Sequence, residues 1–264
     1  MPDAGTQPSR LRFLVATCAR LATRPWLQRS IAPEDATSLF ACSFGDGGWH
    51  HLRKTLAEYD ANPEVQPSST TLYRYLKGFR PQSISSLADP QAEGTQLPLF
   101  VYPWGTFRRG EIATRKDPWT SRFCGPSTDE FAADEFHRTI ALYVRMKKDG
   151  YRPASYGNTY IGGTFLVGID GRRRFVVLQG NHRMAILAHL GVRRIEVRNV
   201  RGWLTEVREA DAARWPLVLN GKCSERHARK VFRWFFDNDG HHVERAIGRE
   251  DDRAPVTTSL EATH

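Results

Sequence analysis

Apolar residues recur at helical spacing near both ends of the chain and follow a strand grammar in its middle. Leu11, Leu14, Val15, Cys18 and Leu21 predict a first helix, and residues 49–59 (WHHLRKTLAEY) predict a second amphipathic one. The stretch SSTTLYRYLKGFRPQ follows. Then SISSLADPQAEGTQLP, rich in Pro, Gly and Ser, reads as a linker. The first 96 residues are therefore expected to be mainly helical.

PLFVY (98–102) reads as a short strand. Ser127-Thr128-Asp129-Glu130 has the form of a capping box, with Ser127 as the simplest N-cap, opening a helix whose face carries Ala132, Phe136, Ile140, Tyr143 and Val144. Lys147, Lys148 and Gly150 supply the dipole and C-cap chemistry that ends a helix. TFLVGI and RRRFVVLQ flank Asp170-Gly171, which predicts a hairpin with a type I′ turn. Gly180 then breaks the strand, residues 181–190 read as a short helix ended by Gly191, and RIEVRNV supplies another strand. Farther on, Ser224 is placed to cap a helix with Ala228, Val231, Trp234 and Phe235 on its apolar face. The expected fold class is α+β: a helical region over 1–96, a central unit over 97–203, a helical extension over 204–249 and a flexible tail over 250–264.

Charge sharpens this division. The chain carries a formal charge of +9. Lys and Arg number 10 against 9 acids in residues 1–96, 18 against 9 in 97–203, and 10 against 11 in 204–264. The whole excess lies in the central unit, which points to an anionic partner there. The four cysteines (Cys18, Cys42, Cys124, Cys223) form no CxxC pair, so neither a zinc site nor a disulfide framework follows, and a reducing cytoplasm fits best. Apolar runs fall well short of the ~20 residues that span a bilayer, so no membrane partner is expected. Adjacent histidines such as His50-His51 and His241-His242 point in different directions along a helix, and no metal site is assigned to them.

The most chemical feature is Gly180-Asn181-His182-Arg183. A glycine between an apolar strand and a helix lets a ligand approach the backbone, and the free amides of the helix start face it with partial positive charge. His182 and Arg183 add side-chain donors. Such a turn is an oxyanion cradle.

The order of elements around this turn carries a resemblance. The run from Pro98 through SRFCGPS, the capped helix, GYRP, the hairpin, LQGNHRMAILAHLG and RIEVRNV resembles the ParB amino-terminal domain, sulfiredoxin and the free-serine kinases of the same fold, over about a hundred residues. In that family a strand leads into a G-x-(H/R)-R turn that binds nucleotide phosphates, and Gly180, His182 and Arg183 match it. Asn181 stands where sulfiredoxin has its reactive cysteine. Gln179 stands where the serine kinases carry an acid, and no helix-turn-helix follows Val200. The pieces GWHHLRKTLAEYD, LFVYPWG, SRFCGPST and WPLVLNGKCSERHARKVFRWFF also look like stretches of ParB-domain proteins from bacterial glycan-biosynthesis clusters.

The resemblance implies a central ParB/sulfiredoxin-like domain binding ATP, ADP or another nucleotide with Mg²⁺, and phosphoryl transfer to a small hydroxylated acceptor, such as a sugar. It implies phosphate contacts from Arg122, Ser127, Gln179, Gly180, Asn181, His182 and Arg183. Glu111, Asp117 and Glu130 lie in or beside the loop that supplies the kinases' catalytic glutamate. Tyr102, Trp104 and Trp119 are candidates to stack on a base or sugar, with core packing as their commoner fate. Two other readings stay open: a nucleotide-gated binding protein without turnover, and a nucleic-acid binder using the basic centre.

Overall fold

A computed structural model describes residues 28–91, 96–107, 123–153, 160–200 and 202–251. The predicted helix around 11–21, the thiol of Cys18, and Glu111, Asp117, Trp119 and Arg122 lie outside these residues.

The fold is α+β. One mixed sheet contains β1 (Gln28–Ile31), β2 (Ala36–Thr37), β3 (Ile161–Val167), β4 (Arg173–Gln179), β5 (Ile195–Asn199) and β6 (Glu206–Arg208), with β3 and β4 at its centre. The order is β1-β5-β3-β4-β2. β3 runs antiparallel to β4 and parallel to β5, and its far half pairs in parallel with β6. Strands from both flanks thus complete the sheet, although the described flanks are otherwise mostly helical.

The helices are α1 (His51–Ala61), α2 (Thr71–Gly78), α3 (Ile84–Ala88), α4 (Asp129–Asp149), α5 (Asn181–His189), α6 (Pro216–Leu219), α7 (Glu225–Asp237) and α8 (His241–Asp251). α1, α2, α4 and α5 pack against one another. Buried Thr55 on α1 accepts the Leu72 N–H at 2.8 Å, fixing α2 to its neighbour. A single apolar cluster runs from Ile31 to Ile247. Tyr102, Trp104 and Trp234 are buried in it, with Trp104 against Trp215, Phe232 and Phe235. Their aromatic faces are core, as is that of α7, which Ser224 caps as expected by accepting from the His227 N–H.

Four local expectations need correction. Residues 98–102 do not extend into a strand. The Val101 N–H turns back to Pro98 O at 3.2 Å, Phe100 takes φ 64°, and Tyr102 pairs with Gly105 in an isolated bridge, because prolines at 98 and 103 leave too little chain to pair. The hairpin turn is not type I′, which needs positive φ at both central residues. Only Gly171 has it (φ 80°). Gly168 O accepts from the Gly171 N–H to close the turn, Arg172 O accepts from the Gly168 N–H, and the Asp170 carboxylate accepts from Arg172 and Arg233.

The N-cap of α4 is Thr128, whose hydroxyl accepts from the Phe131 N–H, while the Ser127 N–H donates to Leu76 O. The Ser127 backbone is committed to the end of α2, which leaves the next residue to start the helix. Finally, the buried stripe of α4 is Ala132, Phe136, Thr139, Tyr143 and Met146; Val144 is 51% exposed, one 100° step away.

Candidate functional site

β4 ends at Gln179, and Gly180 turns the chain through the left-handed region (φ 89°, ψ 30°) into α5. No described side chain caps α5, so the N–H groups of its first turn are left to an outside acceptor. Arg183 folds back over the turn. A Cβ at position 180 would sit 3.0 Å from its Nη2, a contact that a small shift of the guanidinium relieves, so it is the left-handed φ that favours glycine here. The Arg183 guanidinium is pulled below its ordinary pKa by burial, and its Nη1 is buried with no partner among the described residues. Across a cavity of about 560 Å³ stand Arg138 and Arg145 of α4. Three guanidinium groups and an open helix start therefore converge, and among the described residues neither Arg145 nor Arg183 meets a carboxylate.

A second cavity of about 550 Å³ lies on the other side of Gly180, His182 and Arg138, which line both. One wall is an aromatic pile. The ring of His50 stacks on Phe44 at 4.2 Å and on His51 at 4.5 Å, and His51 stacks on Tyr75 at 3.7 Å. Burial, then the neighbouring His182 and Arg53, bring the His50 pKa down to about 3. The ring is neutral at ordinary pH. Its Nδ1 accepts the Leu52 N–H as the N-cap of α1, so its proton resides on Nε2. That Nε2 is buried and unpartnered, as are His51 Nδ1 and Asn181 Oδ1. Burial also holds His51 well below the usual histidine range.

His182 Nε2 lies 2.8 Å from Glu135 Oε1, at ion-pair distance but off the line of an ideal N–H···O bond. Burial pushes the Glu135 carboxyl up, but His182 and Arg138 outweigh it and hold the group below its ordinary value. Buried polar atoms without partners are uncommon in native proteins. Several around one cavity mark a place built to meet a ligand or water.

The structure brings together Gln179, Gly180, Asn181, His182 and Arg183. It does not bring Glu130 or Ser127 to either cavity lining: Glu130 is exposed on the first turn of α4. The acid lining a cavity is Glu135, which the sequence reading passed over together with Arg138 and Arg145. Their signal was present, since all three flank the buried stripe of α4. Among the described residues no three His, Cys, Asp or Glu side chains are grouped to hold a metal ion. Cys124 is buried, with its thiol pushed up to about 11, so it stays protonated near neutral pH.

A different polar constellation has the composition of a catalytic triad. Ser85 Oγ is 2.9 Å from His227 Nε2, and His227 Nδ1 is 3.6 Å from Asp89 Oδ2. Ser85 is fully buried and also accepts the Leu97 N–H, while Lys230 neutralises Asp89. None of the three residues lines either cavity. The cluster ties α3 to α7.

Comparison with protein-family models, curated proteins and solved structures gave no match. Among the described residues no helix is long and apolar enough to cross a membrane.

Proposed function

We propose that the chain binds the phosphates of a nucleotide at the Gly180 turn and transfers a phosphoryl group to a small hydroxylated acceptor, as its resemblance to the ParB/sulfiredoxin-like kinases implies. The observation that carries this reading is the buried, unpartnered Arg183 Nη1 beside the uncapped start of α5, facing Arg138 and Arg145. A desolvated guanidinium without an anion costs free energy that a phosphate would repay. The concave setting favours a mononucleotide over a nucleic-acid track, which needs a continuous basic surface. The sugar class of acceptor rests on the resemblance to glycan-cluster proteins alone.

The donor set fits phosphate oxygens: the amides of the first turn of α5, Arg183, and Arg138 and Arg145 from the facing helix. Bound there, a nucleoside triphosphate supplies the transferable group, and catalysis comes from positioning and charge neutralisation. Mg²⁺ fits less well. Among the described residues lining the two cavities, Glu135 is the one acid, and it already meets His182 and Arg138.

Calorimetry with ATP, ADP, CTP and GTP tests the site. Arg183→Ala removes a charge-assisted donor contributing about 1.5–3 kcal/mol, so affinity for the preferred nucleotide falls about tenfold or more. Arg193→Ala, on the exposed segment after α5, changes the net charge equally and leaves affinity unaltered. Equal losses in the two variants would reduce the site to overall charge.

A further inference from the structure

We infer that the cavity between α1, α2, α4 and the start of α5 seats the acceptor, a small uncharged polyol or sugar, and that His182, held by Glu135, removes the proton of its reacting hydroxyl. This rests on the phosphate-site reading above and adds the place, chemistry and base of the second substrate.

The two cavities meet at Gly180, His182 and Arg138. If phosphates occupy the arginine side, a molecule on the other side meets them across His182. The polar atoms waiting there specify its chemistry. His50 Nε2–H is a donor by its tautomer, and Asn181 Oδ1 is an acceptor. Both are buried and unpartnered, and His50 is 1% exposed. A hydroxyl both donates and accepts, so a polyol carries groups able to satisfy either kind of atom. An anionic ligand would meet the Glu135 carboxylate and Asn181 Oδ1. A cation would meet Arg138 and the His50 N–H. Leu39, Phe40, Leu52 and Leu72 supply apolar wall for the C–H faces of a ring. The cavity lies within the ~300–1,000 Å³ usual for small-molecule sites.

The geometry also assigns a base. A carboxylate oxygen 2.8 Å from His182 Nε2 keeps a proton on that nitrogen, leaving the lone pair on Nδ1. In the step, the acceptor O–H bond breaks and its proton passes to Nδ1. The oxygen forms a bond to the γ-phosphorus, and the bond from that phosphorus to its bridging oxygen breaks. The electron pair leaves with the nucleoside diphosphate. Glu135 offsets the charge of the imidazolium and holds the ring, and so is a positioning residue. His182 is the catalytic one.

The test uses the full chain with radiolabelled ATP and Mg²⁺, offered D-glucose, N-acetyl-D-glucosamine, D-ribose, myo-inositol and glycerol. The expected result is transfer to at least one of them. Glu135→Gln should lower kcat about a hundredfold or more, shift the acidic limb of the pH profile, and leave ATP affinity within about twofold. Asn181→Ala should raise the KM of the sugar without changing that of ATP. Bound ATP with no transfer to any compound overturns the proposal, as does transfer that Glu135→Gln leaves unchanged. A loss of ATP affinity in both variants would place the nucleoside in this cavity, which also overturns it. If ATP fails to bind the unaltered protein, the phosphate-site reading falls by itself. The seat is then judged by NMR: shifts of the His50 Nε2–H and Asn181 side-chain signals on adding the same sugars support it, and their absence overturns it.

Discussion

Two of the histidine–carboxylate pairs among the described residues invite comparison, His227 with Asp89 and His182 with Glu135, and the one that looks more like an active site is the less equipped to be one. Ser85, His227 and Asp89 have the composition of a hydrolase triad, but the serine is fully buried, its oxygen already accepts a backbone N–H, and Lys230 neutralises the aspartate. The Ser85 hydroxyl and the Asp89 carboxylate are both paired in holding α3 to α7, and His227 Nδ1 reaches Asp89 only at 3.6 Å. His182 and Glu135 lack a serine altogether, yet they line a cavity among buried polar atoms that have no partner. Residue types alone do not separate a structural pin from a reactive site. Access does: each cluster has one buried histidine nitrogen without a hydrogen bond, His227 Nδ1 and His182 Nε2, but only His182 and Glu135 line a cavity that a ligand could enter.

The sharpest way to break this contrast is to delete the pin. His227→Ala leaves Ser85 and a void behind, and should cost about 2–4 kcal/mol of unfolding free energy in urea, with nucleotide affinity unchanged. A variant of normal stability with altered nucleotide affinity would mean that the roles of the two clusters had been exchanged.

Acid comes next. His50 has its pKa depressed from 6.5 to about 3, so between those values the unfolded chain holds a proton that the folded chain lacks. Its contribution to stability is complete above about pH 6.5 and is lost as pH falls toward 3. His51 acts in the same direction, and so does His242, brought down to about 4 chiefly by burial. His50→Asn keeps a side chain able to cap α1 and removes one titration. The stability-against-pH curve should flatten by up to one proton, roughly 1.4 kcal/mol per pH unit at its steepest. An unchanged slope would refute the neutral, buried ring.

A smaller effect of opposite sign is expected at Asn181. Leucine there removes an unpartnered buried oxygen and should raise stability by about 1 kcal/mol in thermal unfolding, while the sugar-dependent reaction is lost. A destabilised variant would mean that Asn181 Oδ1 has a partner in solution.

Much of this was legible in the chain. The hairpin partners, the glycine break, α5, β5 and the Ser224 cap follow from periodicity and turn chemistry, and the Gly180 turn proposed to hold phosphates is legible by the same logic because its residues are contiguous. The second cavity was not legible. Its walls come from α1, α2, α4 and α5, and helical periodicity states which face is buried without stating which helix it meets. His50 and His51 were noticed but judged by directions along a helix. In the fold, His50 precedes α1 as its cap, so the two rings stack instead of diverging. The strand expected at 98–102 failed because apolar β-formers between prolines have no room to pair.

The smallest predicted effect concerns two glutamates on one helix. Glu130 was nominated from the sequence because it lies beside the loop that carries the catalytic acid in the serine kinases. It stands exposed on the first turn of α4, where its charge interacts favourably with the helix dipole. Glu135 comes five residues later, about 140° farther round, which carries it from the open face to the border of the buried stripe and onto His182. Glu130→Gln should therefore cost only about 0.3–1 kcal/mol of stability through the lost dipole interaction, a loss that shrinks as salt is added. Nucleotide affinity and phosphoryl transfer should stay within about twofold of the unaltered protein, a difference worth less than ~0.5 kcal/mol. Thermal unfolding at low and high salt reads the first quantity, and calorimetry and labelled transfer read the second. A large loss of transfer in Glu130→Gln beside an intact Glu135→Gln would return the acid to the position that the family resemblance implied and leave the His182 pair a structural contact.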